Sequence, residues 1–170
     1  MPPSVLARLG VPAFLLLIVV QLVPYGRTHS NPPVTGTPAW DSPETEHLAR
    51  RACFDCHSHE TKWPWYASIA PISWRIQSHV DEGREKLNFS AFDRPQDEAD
   101  EAAETVRDGE MPPWDYLLAH PEARLSAAEK HALTRGLAAT LGEDEKGLGE
   151  EEEEHAARRG DDSRLAHRDD

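Results

Sequence analysis

The chain has little cysteine, little methionine and no clustered positive charge. Only two cysteines and two methionines occur in 170 residues. A secreted scaffold held by disulfides needs several spaced cysteine pairs, so one pair separated by two residues points away from that class. Lys and Arg total 18 against 31 Asp and Glu, and the lack of any basic stripe argues against nucleic-acid binding. The charge leaves room for a basic protein partner.

Long apolar runs are also scarce, and the one that occurs lies at the N-terminus. It extends from about Leu9 to Val23 and has Arg8 before it. No small-x-small cleavage site follows, because Pro24, Tyr25 and Arg27 occupy that place. Residues 1–27 are therefore predicted to be an uncleaved signal anchor that crosses the membrane once, with a cleaved secretory signal as the alternative.

The remaining chain divides by composition into three parts. Residues 28–40 are rich in Pro, Gly, Ser and Thr, which predicts an extended linker without a core of its own. Residues 41–142 carry the folded domain, for which one core is expected. Residues 143–170 hold 12 Asp/Glu, 5 Lys/Arg and almost no apolar residues, so we expect an acidic, disordered tail.

The folded region shows helical spacing and no strand alternation, which predicts an all-α domain. Asn88 also resembles the entry to a helix. The first predicted helix is capped by Asp41 or Ser42 and leads into the cysteine pair, and the second runs from Pro71 or Ile72 to about Glu85. A third helix is predicted from Glu98 to Arg107, ended by Gly109. The last begins at the Ser126–Glu129 capping box and ends at Gly142.

The sequence Cys53-Phe54-Asp55-Cys56-His57 is the most specific motif in the chain. Two thiols one helical turn apart are spaced to add to the two vinyl groups of a haem, and the following histidine supplies an axial ligand to its iron. A thioredoxin-like pair would follow a strand, and a zinc site would need a second ligand pair. The motif therefore predicts one covalent haem c, with Cys53 and Cys56 holding the porphyrin and His57 binding the iron.

The sixth iron ligand is predicted to be Met111, in the segment Gly109-Glu110-Met111-Pro112-Pro113. Apart from Met1 it is the only methionine, and the prolines after it hold the side chain in a loop. His79 is the alternative sixth ligand, because it lies on the predicted apolar stripe of the second domain helix, which starts at Ile72 and continues through Ile76, His79, Val80 and Gly83 to Leu87.

Aromatic residues are dense around the motif and predict a wall that keeps water from the haem. We expect Trp63, Trp65 and Trp74 in this pocket, with indole N–H groups placed to bond propionates, although ordinary core packing explains them equally. Arg75 and Arg84 are also considered as propionate partners, against the commoner placement on a solvated helix face.

These residues together resemble the small bacterial haem-binding-domain family of c-type cytochromes. The resemblance extends from about Leu48 to Leu141, through CFDCHSHETKWPWY and GEMPPWDYLLAHPEARLSAAE. It implies a secreted or membrane-tethered single-haem domain, with Met111 at the methionine of the MPP segment. Because covalent haem attachment is completed outside the bacterial cytoplasm, the resemblance also places the domain on the periplasmic side of the cell membrane.

The leading functional expectation is electron transfer to redox protein partners, without catalysis and without a small-molecule substrate. A six-coordinate His/Met iron changes little between its oxidation states. The alternative is a haem-based gas or redox sensor in which the sixth ligand is displaced. Peroxidase chemistry is disfavoured, because no distal base is placed for it.

Overall fold

The computed structural model describes residues 3–142, with side chains from residue 10 onward. Within this range the chain is helical, and the only strand-like pairing is an isolated parallel bridge between Gly36 and Ala91. Short 3₁₀ turns lie at Trp65–Ser68 and Pro121–Ala123. The α-helices are α1 (Pro3–Val20), α2 (Pro43–Ala52), α3 (Phe54–His57), α4 (Ile72–Lys86), α5 (Ala102–Asp108), α6 (Trp114–Ala119) and α7 (Ala127–Leu141). The all-α prediction is confirmed for the described residues, and the predicted acidic tail lies outside them.

The chain forms two compact units, each built from two separate stretches of sequence. Among the described residues, the first unit takes 3–37 and Cys53–Asp97, and the second takes Pro38–Ala52 and 98–142. The sequence led us to expect a single core. The domain boundaries proposed from composition stay predictions.

The core of the first unit forms where α3 and the chain after α4 meet. Phe54 and Phe89 are buried and stacked, with ring centroids 5.4 Å apart, and Phe89 also stacks on Phe92 at 6.3 Å. In α4 the buried positions are Ser73, Val80 and Gly83, whereas Ile72 is 48% exposed. The predicted α4 bounds are confirmed. The predicted apolar stripe is wrong at its first residue, because the packed face follows Ser73 rather than Ile72.

The core of the second unit forms between α7 and its neighbours α2 and α5. Leu133 and Leu137 of α7 are fully buried. Ser42 caps α2 through its Oγ, which accepts from the Thr45 N–H at 3.2 Å. The predicted capping box is present at Ser126 and Glu129, and α7 ends at Gly142 as expected. These local predictions are confirmed because each depends on side chains within a few residues of the helix end.

Two helix predictions need correction. The helix predicted from Glu98 begins only at Ala102, since the residues before it form a turn closed by the Ala102 N–H on the Ala99 carbonyl. Asn88 does not start a helix, because its Oδ1 accepts from the Ser90 N–H at 3.0 Å and closes an Asx turn instead. In both cases a side chain or turn bond competes with the helical pattern.

The segment predicted as a free linker is extended, but hydrogen bonds fix it to the first unit. The Thr35 N–H donates to the Ser90 carbonyl at 2.9 Å, and the Phe92 N–H donates to the Gly36 carbonyl at 3.2 Å. Asn31 Nδ2 donates to the Thr61 carbonyl at 2.9 Å. The polar backbone of the segment therefore finds partners on the unit, which composition alone does not reveal.

Candidate functional site

The cysteine pair lies on a single helical turn of the first unit. The Cys53 carbonyl accepts from the Cys56 N–H at 3.2 Å and from the His57 N–H at 2.9 Å. Residues three apart on such a turn project from the same side. Both cysteines are half-buried, and neither forms a disulfide bond within the described residues. The turn therefore presents two thiols side by side, as the sequence motif predicts.

The cysteine turn packs closely against Gly83 of α4. A Cβ at Gly83 would lie 2.8 Å from the Cys56 carbonyl O and 3.2 Å from the Cys56 Cβ, closer than ordinary packing allows. Glycine is needed here because the backbone of the cysteine turn approaches the helix directly. The turn is thus fixed against a long helix rather than carried on a free loop.

One ring nitrogen of His57, Nδ1, forms a hydrogen bond with a backbone carbonyl. Nδ1 lies 3.1 Å from the Leu87 carbonyl O, and since a carbonyl only accepts, Nδ1 carries the proton. This arrangement leaves the lone pair on Nε2, the atom that a metal binds when a backbone carbonyl orients the ring. The His57 carbonyl accepts from the Phe89 N–H at 2.8 Å, which holds the residue from its backbone side.

Burial favours the uncharged form of both the imidazole and one thiol. Desolvation lowers the pKa of His57, and the positive charge of Lys86 acts in the same direction, while the Leu87 and Gly83 carbonyls oppose them. Desolvation also raises the pKa of the Cys53 thiol to about 12, with a further rise from Cys56. A neutral imidazole is the form that ligates a metal.

Trp74 has a buried indole N–H without an acceptor among the described residues. Buried polar groups are nearly always paired, so an unpaired donor marks a place where a ligand atom is expected. Trp74 belongs to α4, as does Gly83. Among Trp63, Trp65 and Trp74, only Trp74 has a buried indole N–H that lacks an acceptor among the described residues.

The other predicted pocket residues are placed differently. Trp63 stacks on His29 with ring centroids 4.7 Å apart, and its Nε1 donates to Asn31 Oδ1 at 3.2 Å. Trp65 is 80% exposed, and Arg75 is exposed. Contact of these three residues with a haem stays a prediction.

Met111 lies in the second unit, in the turn between α5 and α6. The N–H groups of Glu110 and Met111 both donate to the Thr105 carbonyl, at 3.0 and 3.1 Å. Gly109 ends α5 with φ 81°, the left-handed conformation expected of it, and the Met111–Pro112 peptide is cis. The Met111 side chain is half-buried. His79, the alternative ligand, is half-buried in α4 of the first unit.

Arg84 was expected on a solvated helix face, but its side chain makes four hydrogen bonds within the first unit. Its Nε donates to the Ser58 carbonyl at 2.8 Å and Nη1 to the Ser30 carbonyl at 3.0 Å. Nη2 donates to Asn31 Oδ1 at 3.1 Å and to Thr61 Oγ1 at 3.0 Å. Arg84 therefore joins the segment before the site to the loop that follows His57. All four acceptors lie at least 23 residues away in sequence, which helical periodicity cannot reveal.

Among the described residues, no group of three or more His, Cys, Asp or Glu side chains is arranged to hold a bare metal ion. No described helix combines the length and the apolar character needed to cross a bilayer. A family model described as a haem-binding domain matches residues 15–139, which takes in the end of α1 and the segment predicted as a linker. No curated protein and no solved structure is similar enough to count as a match.

Proposed function

Because this chain belongs to the haem-binding domain family, we propose that it is a single-haem c-type cytochrome whose function is electron transfer. The observation that carries the proposal is the cysteine turn, with two half-buried thiols on one side and a histidine whose Nδ1 is taken by the Leu87 carbonyl. A bound haem supplies one-electron chemistry between ferrous and ferric iron. Every other contribution comes from the residues that hold it.

Cys53 and Cys56 are the proposed attachment residues. Each S–H would add across one vinyl double bond, forming a C–S bond while the thiol hydrogen goes to the neighbouring carbon, so no oxidant is consumed. Attachment at two points fixes the ring relative to α3 and α4.

His57 Nε2 is the proposed axial donor on one side. The Leu87 carbonyl would set the ring orientation and increase the basicity of the donor nitrogen, as carbonyl partners do at other metal sites. The buried N–H of Trp74 is suited to a haem propionate, because a carboxylate would satisfy its missing acceptor. Both residues belong to the first unit.

Met111 is the proposed second axial ligand, with His79 as the competing assignment. A thioether is a soft donor that favours ferrous iron and raises the reduction potential. The Thr105 carbonyl, which accepts from the Met111 N–H, holds the Met111 backbone in a defined turn, and this supports a fixed ligand. We infer a closed, six-coordinate iron, which favours an electron carrier over an enzyme or a gas sensor.

The proposed location is the cytoplasmic membrane, with the haem-binding part on its outer, periplasmic face. The described part of α1 supports this location, since its apolar side chains are exposed on every side. The partners we propose are redox proteins with basic surfaces, because the chain carries a net charge of −13.

Optical spectra of the wild type, Met111→Ala and His79→Gln test the ligand assignment. We expect a pyridine haemochrome of the c type, and loss of the long-wavelength iron–sulfur band in Met111→Ala but not in His79→Gln. Pigment that leaves the chain in acidified organic solvent would contradict covalent attachment. Rapid binding of carbon monoxide by the ferrous wild type would favour the sensor, because a closed carrier resists it.

A further inference from the structure

The described part of α1 has no polar face. Seven apolar residues between Val11 and Val19 are 48–64% exposed, and they follow one another around the helix. A helix that is apolar all round requires an apolar surrounding, and nothing in the described chain covers this one. The medium that suits all its sides at once is lipid.

The C-terminal end of α1 is joined to the first unit by a two-point contact, which we call the Gln21 clamp. Gln21 Nε2 donates to the Ala70 carbonyl at 2.8 Å, and the Ala70 N–H donates to Gln21 Oε1 at 3.0 Å. An amide paired with both polar groups of one residue fixes direction as well as position. The clamp therefore sets the angle between α1 and the start of α4.

The chain beyond the clamp continues along α4. Tyr25 OH donates to Asp81 Oδ2 at 3.0 Å, and the Tyr25 carbonyl accepts from Ser73 Oγ at 3.5 Å. Gly26 is buried with φ 79°, and a Cβ there would meet the Ser73 carbonyl. These contacts prevent α1 from rotating freely relative to the rest of the first unit.

Exposed apolar residues surround the clamp. Leu22 is 79% exposed and Val23 44%, at the end of α1, while Ile69 (42%) and Ile72 (48%) flank Ala70. We call these four residues the collar. Apolar residues clustered at one end of a lipid-seeking helix extend the same apolar surface onto the unit.

The chemistry beside the collar fits a phospholipid headgroup layer. Arg27 Nη2 donates to Gln21 Oε1 at 3.2 Å, which places a positive charge next to the clamp. Trp65, four residues before Ile69, is 80% exposed, and tryptophan is enriched where membrane meets water. Cations near anionic lipid are attracted to the surface.

We propose that the collar docks on the phospholipid bilayer into which α1 inserts, so that the Gln21 clamp holds the first unit in one orientation against the membrane. The proposal rests on the membrane location given above and is independent of the haem chemistry. It gives Trp65 a place at the lipid boundary in preference to the haem pocket. The unit is then a fixed surface for approaching partners rather than a body on a flexible tether.

Photo-crosslinking of the full chain in vesicles of phosphatidylethanolamine and phosphatidylglycerol tests the proposal. A benzophenone amino acid is introduced at Ile69 or, as the matched control, at the exposed Glu85 near the far end of α4. The two positions lie about 20 Å apart along the helix, a distance comparable to the thickness of a leaflet with its headgroups. We expect about tenfold more lipid adduct from position 69, because position 85 stands clear of the headgroups.

Variants of the clamp separate orientation from simple insertion. Gln21→Ala should still float with the vesicles, while the ratio of lipid adducts between positions 69 and 85 falls towards one. Ser78→Ala, which removes an exposed side-chain bond to Glu82 in α4, should leave the ratio unchanged.

Three results would overturn the proposal. They are equal lipid adducts at positions 69 and 85 in the wild type, adducts from position 69 to a second copy of the chain in place of lipid, and failure of the wild type to float. The first two leave the membrane location intact, and none of them alters the haem spectrum, so each failure is distinguishable from failure of the proposed electron-transfer function.

Discussion

At the scale of single residues, the candidate site contains a ring nitrogen that already has a hydrogen-bond partner, in His57, and a buried indole N–H that has none among the described residues, in Trp74. His57 Nδ1 donates to a backbone carbonyl, so the lone pair of the ring is on Nε2, the proposed donor to iron. Trp74 Nε1 is buried with no acceptor among the described residues, a condition that costs free energy until a partner is supplied. Residues of these two kinds respond differently to mutation in the apo and haem-loaded protein.

Trp74→Phe removes the unpaired donor and should therefore leave the apo protein as stable as the wild type or slightly more stable. In the haem-loaded protein the same change should destabilise by about 1 kcal/mol, because a propionate loses its hydrogen bond. Chemical denaturation of the wild type and the variant, each with and without haem, measures both differences.

Trp63→Phe is the matched control for this experiment. Its Nε1 is bonded to Asn31 Oδ1, so the variant should lose about 1 kcal/mol whether haem is present or absent. A haem-independent loss in Trp74→Phe would show that its indole has a protein partner and would remove it from the proposed site.

The sequence was sufficient to predict the helical turn that carries the candidate site residues but not the contacts that orient them. The spacing of Cys53, Cys56 and His57 specifies a helical turn, and the structure contains that turn. The Leu87 carbonyl that orients His57 is a backbone atom 30 residues away, and every residue type carries one. No pattern of side chains could have singled it out.

At the scale of helices and turns, the start of α7 is stabilised by the Glu129 carboxylate, which bonds both to the backbone of its own cap and to an arginine of α2. Glu129 accepts from the Ser126 N–H at 2.8 Å and from Arg51 Nη2 of α2 at 2.7 Å. These bonds, that to the Ser126 backbone first, lower the pKa of Glu129 to about 2. The carboxylate form is therefore favoured in the folded protein.

This shift predicts a dependence of stability on pH. Since the pKa is lower in the folded state, the contribution of Glu129 is complete above its ordinary pKa of 4.5 and is lost as the pH falls towards 2. Glu129→Gln should unfold at a lower temperature than the wild type at neutral pH, and the difference should vanish near pH 2. Thermal unfolding followed by circular dichroism measures it.

Glu46→Gln provides the comparison for that series. Glu46 pairs with Arg50 at 2.8 Å on the exposed face of α2, where such i,i+4 pairs contribute only ~0.3–0.5 kcal/mol. A pH-dependent loss in Glu46→Gln as large as that in Glu129→Gln would mean that the capping box is not the cause.

Helix ends were predicted well where a side chain marks them and poorly where a turn replaces the first residues of a helix. Ser42, Ser126 and Gly142 each act at the helix end that the sequence assigned to them. The helix predicted from Glu98 loses its first turn, because the Ala99–Ala102 bond closes a turn before α5. Local sequence does not decide between these two closures.

At the scale of the whole chain, Arg84 shows why the segment 28–40 is not a simple linker. Its guanidinium binds Ser30 and Asn31 on one side and Ser58 and Thr61 on the other. A planar fork with separate donors is needed to reach four acceptors in different directions. Composition indicated the extended form of the segment, and only the fold shows what it is bound to.

Arg84→Lys should therefore destabilise the first unit by about 2 kcal/mol, since one ammonium cannot replace the fork. Urea denaturation of the full chain measures the loss, and hydrogen exchange should show faster exchange at the Thr35 N–H. Arg94→Lys offers a control at another exposed position of the same unit. An Arg84→Lys protein as stable as the wild type would mean that the segment is held by its backbone bonds alone.

The division of each unit between two stretches of sequence has a consequence for how the protein is made. The turn from Cys53 to His57 is complete after five residues. The residues that contact it, Gly83 and the Leu87 carbonyl, are synthesised about 30 residues later. During synthesis, the two thiols emerge well before the surface that will enclose them. Chemical modification of these cysteines is thus easiest in that interval, while the polypeptide is still incomplete and its sulfur atoms face the surroundings.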